Sequence, residues 1–260
     1  MTSTAPGPTL RRHRRFPSDI LSLPRDVVVY LPPGYDKADE PCPVLYMHDG
    51  QNLFDPKTAH VVGQHWRVGE TADALITAGT IPPLIIVGVA NTGGARIHEY
   101  TPTKDARLGG GKATDYGRFL VEELKPVIDA RYRTRPDAAS TGLAGSSLGG
   151  LATLHIGLAR PDVFGLLGVM SPSVWWDRRV ILSSVRAARP KPNLRLWVDM
   201  GTAEGRRGLE DARLLKAALV GSGWVPGVDL HYAEYEGGTH SEQAWANRAG
   251  AMLAWLFANA

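Results

Sequence analysis

Thr141-Gly142-Leu143-Ala144-Gly145-Ser146-Ser147-Leu148-Gly149-Gly150 decides the reading of this chain. A short apolar run ends at Ala144, and Leu151, Leu154, Ile156 and Leu158 follow at helical spacing. Between them, Gly145-x-Ser147-x-Gly149 fits a strand that turns sharply into a helix and presents a serine at the turn. Glycines are needed beside the serine because the turn packs its neighbours too closely for a Cβ and strains the backbone. Ser146 occupies the variable position and is expected to point away.

Working outward, strands are expected at 27–31, 44–47 and 84–89, the last wholly apolar as in a strand covered on both faces. Residues 115–130 carry Tyr116, Phe119, Leu120, Leu124, Val127 and Ile128 at helical spacing. Downstream, strands at 164–170, 194–198 and 230–235 alternate with helices at 178–189, 209–220 and 241–258. This alternation predicts an α/β fold, a mostly parallel central sheet with helices on both faces in a three-layer sandwich. Residues 95–112 read as a long loop that folds over something or is mobile.

The composition fits that frame. Of 260 residues, 43% are hydrophobic and 21% charged, which excludes a disordered chain, a coiled coil and a collagen-like repeat. Lys and Arg number 29 against 26 Asp and Glu, for a net charge of +3. Four of the positive charges sit in Arg11-Arg12-His13-Arg14-Arg15, so the basic balance belongs to a short segment and nucleic acid is not an expected partner. Residues 1–20 are read as a basic N-terminal arm, a mobile arm or a dimer contact, and 21–260 as a single catalytic domain with little room for a separate lid. The single cysteine, Cys42, allows no intramolecular disulfide and suits a reducing compartment. The most apolar stretch, 81–90, is too short to span a bilayer, and no secretory signal is evident. A cytoplasmic protein without a membrane partner is expected.

A serine is a weak nucleophile until a base takes its proton. Three histidines follow Ser147. His155 lies two turns into the next helix, about 12 Å along it, and His231 lies inside a strand. His240, in the loop Gly237-Gly238-Thr239-His240, sits at the carboxyl end of the sheet, where open α/β folds place their ligands. An acid between serine and histidine should hold the histidine tautomer. Glu204 is the first choice, in the loop after the 194–198 strand. Asp211 is next, and Asp199, at that strand's end, is a further candidate. An oxyanion hole needs backbone amides. Leu148 follows the serine, and Gly50 or Gln51 follows the 44–47 strand. A metal reading of His48, Asp49 and Asp55 lacks a second histidine or carboxylate pair, so no metal or cofactor is expected.

At these residues the chain resembles the esterase D-type family of α/β hydrolases, which includes feruloyl and acetyl-xylan esterases, enterochelin-type esterases and formylglutathione hydrolases. The resemblance rests on Tyr30-Leu31-Pro32-Pro33-Gly34-Tyr35, Leu45 to Asn52, Arg96 with Glu99-Tyr100-Thr101-Pro102, Gly145 to Gly150, Ser171 to Trp176, Gly201-Thr202-Ala203-Glu204 and Gly238-Thr239-His240. It implies an α/β-hydrolase fold with Ser147 as nucleophile, Glu204 as acid and His240 as base. The chain departs from the pattern at Glu204, where many relatives carry aspartate, and at Asp49, where many carry a second glycine. The implied activity is a serine carboxylesterase; the motifs do not name its substrate, and an aromatic wall with one arginine suits a bulky aryl, sugar or siderophore-type ester. An acyltransferase on the same triad, or a non-catalytic binding protein, is the alternative. Trp175, Trp176, Arg96 and Tyr100 are expected to bind the substrate. Trp66 is expected to pack.

Overall fold

The computed structural model describes residues 9–258. Among them, eight strands form one sheet in the order β1-β2-β4-β3-β7-β8-β9-β10. These are β1 (Thr9–Phe16), β2 (Arg25–Leu31), β3 (Val44–His48), β4 (Ile85–Val89), β7 (Thr141–Ser146), β8 (Leu166–Met170), β9 (Arg195–Gly201) and β10 (Leu230–Tyr235). A separate two-stranded hairpin joins β5 (Lys104–Asp105) to β6 (Gly109–Gly110). β1 and β2 enter antiparallel, and from β4 to β10 the strands run parallel.

The helices are α1 (Val68–Thr77), α2 (Arg96–Glu99), α3 (Ala113–Arg118), α4 (Lys125–Arg131), α5 (Leu148–Ala159), α6 (Trp176–Ala187), α7 (Arg206–Gly221) and α8 (Glu242–Phe257). A π-helical stretch, Phe119–Leu124, joins α3 to α4, so the helix expected at 115–130 is one continuous rod with a wider turn inside it. Alternate residues along each strand face opposite ways, and this builds two cores. On β3, Val44 and Tyr46 join one core, which takes apolar residues from α3 through α7. Leu45 and Met47 join the other, closed by α1 and α8. The mostly parallel sheet with helices on both faces is therefore the observed architecture. No described helix is long and apolar enough to cross a membrane.

Two expectations change. The Arg11–Arg15 segment is not a free arm: it lies in β1 and pairs with β2, from Thr9 opposite Leu31 to Phe16 opposite Arg25. Its apolar residues Leu10 and Phe16 pack on the two cores while most of its arginines face water, which hides the strand from a reading based on hydrophobicity. Residues 1–8, the rest of the expected arm apart from the turn to β2, lie outside the described residues. The expected loop at 95–112 contains α2 and the β5–β6 hairpin. It is tied down by Arg25, whose buried guanidinium bonds both oxygens of Glu99 at 3.0 and 2.9 Å and stacks over Phe119 at 4.9 Å.

Candidate active site

Ser147 sits between β7 and α5 with φ 59° and ψ −122°, a strained conformation for a residue with a side chain. Its amide donates to Met170 O at 3.1 Å and its carbonyl accepts from Ser173 N at 3.0 Å, so the end of β8 and the loop after it hold the turn in place. The turn also presses on β3. A Cβ on Gly145 would lie 2.7 Å from the ring of His48. The amide of Leu148 opens α5 and so has no partner within its own helix.

The loops after β9 and β10 deliver the other two groups. They touch so closely that a Cβ on Gly201 would meet Gly238 O at 2.2 Å. Ser241 then caps α8 by accepting from Ala244 N, which fixes the chain just after His240. His240 Nε2 lies 3.0 Å from Ser147 Oγ, and His240 Nδ1 lies 2.6 Å from Glu204 Oε2. Ser147 Oγ has Ser173 Oγ as a second neighbour at 3.4 Å. The imidazole stands edge-on to Trp245, ring centres 4.9 Å apart. The Glu204 side chain is buried, and its Oε1 accepts from Ser171 Oγ at 2.6 Å and Gly201 N at 2.9 Å. Burial raises its pKa, but the hydrogen bonds from His240, Ser171 and Gly201 outweigh that and hold it below the ordinary value.

The other candidate acids are bonded to groups other than His240. Asp211 accepts from Arg179 Nε at 2.6 Å. Asp199 is fully buried, taking Trp197 Nε1 at 2.8 Å and Ser171 N at 3.2 Å. His155 meets Thr114, and His231 stacks on Trp197 at 4.2 Å, so neither approaches Ser147.

Gly50 and Gln51 stand in a 3₁₀ turn directly after β3. Asp49, ahead of them, is left-handed at φ 57°. Its carboxylate is gripped by Arg96 through two bonds of 2.8 Å and by Asn91 Nδ2 at 2.7 Å. Burial opposes the charge on Asp49, but the Arg96 bonds win and lower its pKa. Arg96 therefore anchors the turn while lining the cavity beside Ser147. Tyr100 and Trp176 are corrected from substrate contacts to packing residues. Both are fully buried. Tyr100 OH accepts from Asp49 N at 3.2 Å, and Trp176 Nε1 donates to Thr103 O at 3.0 Å. Trp175 stays 44% exposed at the start of α6 while Trp176 turns inward. Trp66 packs against Trp245, as expected.

A cavity of about 270 Å³ opens on one side of His240, bounded by Ser173, Trp175, Met200 and Arg207. Another of about 300 Å³ opens on the Ser147 side, bounded by Gln51, Asn91, Arg96 and Glu242. Ser171, Ser173, Asp199 and Arg248 are the polar neighbours that sequence reasoning did not assemble. One signal was available for Arg248. It lies on the α8 face that also carries Trp245, Ala249 and Met252, and a charge on an apolar face calls for a buried partner.

The family model described as "Putative esterase" matches residues 18–256. The chain belongs to that family. Among curated relatives, the chain is 30% identical over 237 residues to an endo-1,4-beta-xylanase/feruloyl esterase of Xylanibacter ruminicola, covering 88% of this chain and 29% of that protein. It is 28% identical over 237 residues to the iron(III) salmochelin esterase of Escherichia coli, covering 85% and 51% respectively. The chain thus spans about half or less of those two proteins. A solved structure of the BES protein from Bacillus cereus superposes with a TM-score of 0.76 at 22% identity, covering 99% of this chain and 97% of that one. A ferulic acid esterase superposes at 0.74 with 21% identity, covering 96% and 98%. At these identities the likeness is one of fold, the α/β-hydrolase fold.

Proposed function

We propose that the chain is a serine carboxylesterase that works through an acyl-enzyme. The observation that carries this reading is the unbroken line from Ser147 Oγ to His240 Nε2 and from His240 Nδ1 to the buried Glu204 carboxylate. In this reading Ser147 attacks the ester carbonyl as His240 takes its proton. The Leu148 amide and that of Gly50 or Gln51 receive the negative charge on the carbonyl oxygen. His240 then hands the proton to the departing alcohol, water repeats the sequence, and Glu204 stabilises the imidazolium without itself being protonated. Membership in an esterase family supports ester hydrolysis.

The substrate class we propose is a bulky aryl, sugar or siderophore-type ester. The exposed indole of Trp175 supports it, as do one cavity beside His240 and another beside Ser147. So do relatives whose names record a feruloyl esterase and a siderophore esterase. The test is hydrolysis of p-nitrophenyl acetate by the wild type, Ser147→Ala and His240→Ala. Each substitution is expected to lower kcat by roughly 10³-fold or more. A His240→Ala protein that keeps wild-type turnover would overturn the assignment of the base.

A further inference from the structure

Arg248 is 2% exposed at the inner face of α8. A guanidinium at that depth is strongly disfavoured unless paired. Its partners lie on two sides. Nη1 comes within 3.2 Å of Asp199 Oδ1, close but off the hydrogen-bond direction. Nη2 donates to Ser171 Oγ at 2.9 Å and lies 3.4 Å from Glu204 Oε1. Ser171 Oγ in turn donates to the same Glu204 oxygen and accepts from Trp245 Nε1 at 2.9 Å. Glu204 is thereby gripped by the oxygen that His240 does not use. Asp199 is gripped from the far side by Trp197 and the Ser171 amide.

We propose that Arg248, anchored by Asp199, is a positioning residue that holds the Glu204 carboxylate in the orientation that receives His240 Nδ1. This rests on the reading of Ser147, His240 and Glu204 as a triad. The charge count agrees with the role. Two carboxylates and one guanidinium leave a single negative charge beneath His240, matched to the imidazolium that forms when Ser147 gives up its proton. Among the described residues, the further titratable group packed on Arg248 is Tyr235 of β10, its ring centre 5.3 Å from the guanidinium. Burial raises Asp199 to about 6 against the opposing pull of Arg248, so the guanidinium keeps it ionised at neutral pH.

The experiment is the pH dependence of kcat and kcat/KM on p-nitrophenyl acetate for the wild type, Asp199→Asn, Arg248→Lys, Arg248→Met and the double variant Asp199→Asn/Arg248→Met. Ser147→Ala is measured in parallel. Asp199→Asn removes a negative charge that favours the imidazolium, so the acid limb of kcat/KM should move about half a unit or more to lower pH. Arg248→Met leaves Asp199 without the guanidinium that keeps it ionised, so Asp199 takes up a proton, the net charge stays at one negative, and the limb should stay near the wild-type position while kcat falls about tenfold. Arg248→Lys keeps the charge and should leave the limb in place. The double variant restores the net charge, so its limb should return to the wild-type position while kcat stays about tenfold low and KM changes little, because the grip on Glu204 is lost. Exchange of a buried ion pair for neutral groups is often tolerated in folding, so the double variant decides the matter if Arg248→Met does not fold. Coincident limbs in all folded variants, or a folded double variant with wild-type kcat, would overturn the proposal. Wild-type activity in Ser147→Ala would instead overturn the triad reading beneath it.

Discussion

At the scale of single residues, the site is organised by which polar groups have partners and which do not. Glu204 has four donors around it and His240 has one partner on each nitrogen. Asp211, the second candidate acid, is committed to Arg179. Glu204→Gln is therefore expected to lower kcat on p-nitrophenyl acetate by about 10³-fold or more, and Asp211→Asn far less. Equal losses would contradict the assignment. His48 illustrates a different constraint. It is 2% exposed beneath the elbow, its Nδ1 shares a 3.0 Å hydrogen bond with Tyr116 OH, and its Nε2 has no partner. Burial lowers it to about 4. The folded protein thus binds a proton at His48 less readily than the unfolded chain does, near 6.5. Its contribution is fully present above 6.5 and is lost as pH falls through the window down to about 4. The difference corresponds to roughly 3 kcal/mol. Chemical denaturation at pH 7 and pH 4.5 should show a smaller acid loss for His48→Gln than for the wild type. An identical loss would show that His48 is not the acid-sensitive group.

At the scale of elements, the loops at the carboxyl ends of β3, β7, β8, β9 and β10 each contribute something to the site, and buried ion pairs hold those loops. The Arg25–Glu99 pair ties α2 to the start of β2, with side chains 0% and 5% exposed. α2 in turn carries Arg96, whose bidentate bond to Asp49 holds the turn bearing Gly50 and Gln51. Removing one partner of a buried pair typically costs 3–5 kcal/mol. Glu99→Ala should therefore lower the melting temperature by several degrees and also weaken turnover. A variant with wild-type melting and turnover would show that the loop stands without the pair. The elements around the elbow were legible because local chemistry and tertiary role agree there. An apolar strand, a glycine-serine turn and an apolar helix leave few other folds open. β10 matches its expected range of 230–235. The β5–β6 hairpin and α2 were not legible, because a hairpin of two-residue strands and a four-residue helix has no period to read. Trp176 was misread because two adjacent tryptophans look alike in sequence, and only the packing of the 95–112 segment decides which one turns inward.

At the scale of the molecule, the parallel sheet gathers these loops on one edge, while the basic strand β1 lies at the sheet's end. A bare edge strand is a template for pairing with another chain, and charge is a common means of blocking it. Arg11 and Arg14 are exposed on β1, and Arg12 reaches Asp55 at 3.5 Å. This gives the +3 balance of the sequence a structural place that composition alone did not reveal. Replacement of Arg11, Arg12, Arg14 and Arg15 by threonine should raise self-association, read as a larger species by light scattering, with turnover per chain near the wild-type value. A strictly monomeric, fully active variant would show that the arginines do not guard the edge. The central claim remains chemical, namely that Ser147 carries the acyl group. The most direct measurement is peptide mapping by mass spectrometry after labelling with a fluorophosphonate. The account predicts one adduct, on the peptide containing Ser147, that disappears in Ser147→Ala. An adduct on another residue such as Ser146 or Ser173, or labelling that survives Ser147→Ala, would contradict it.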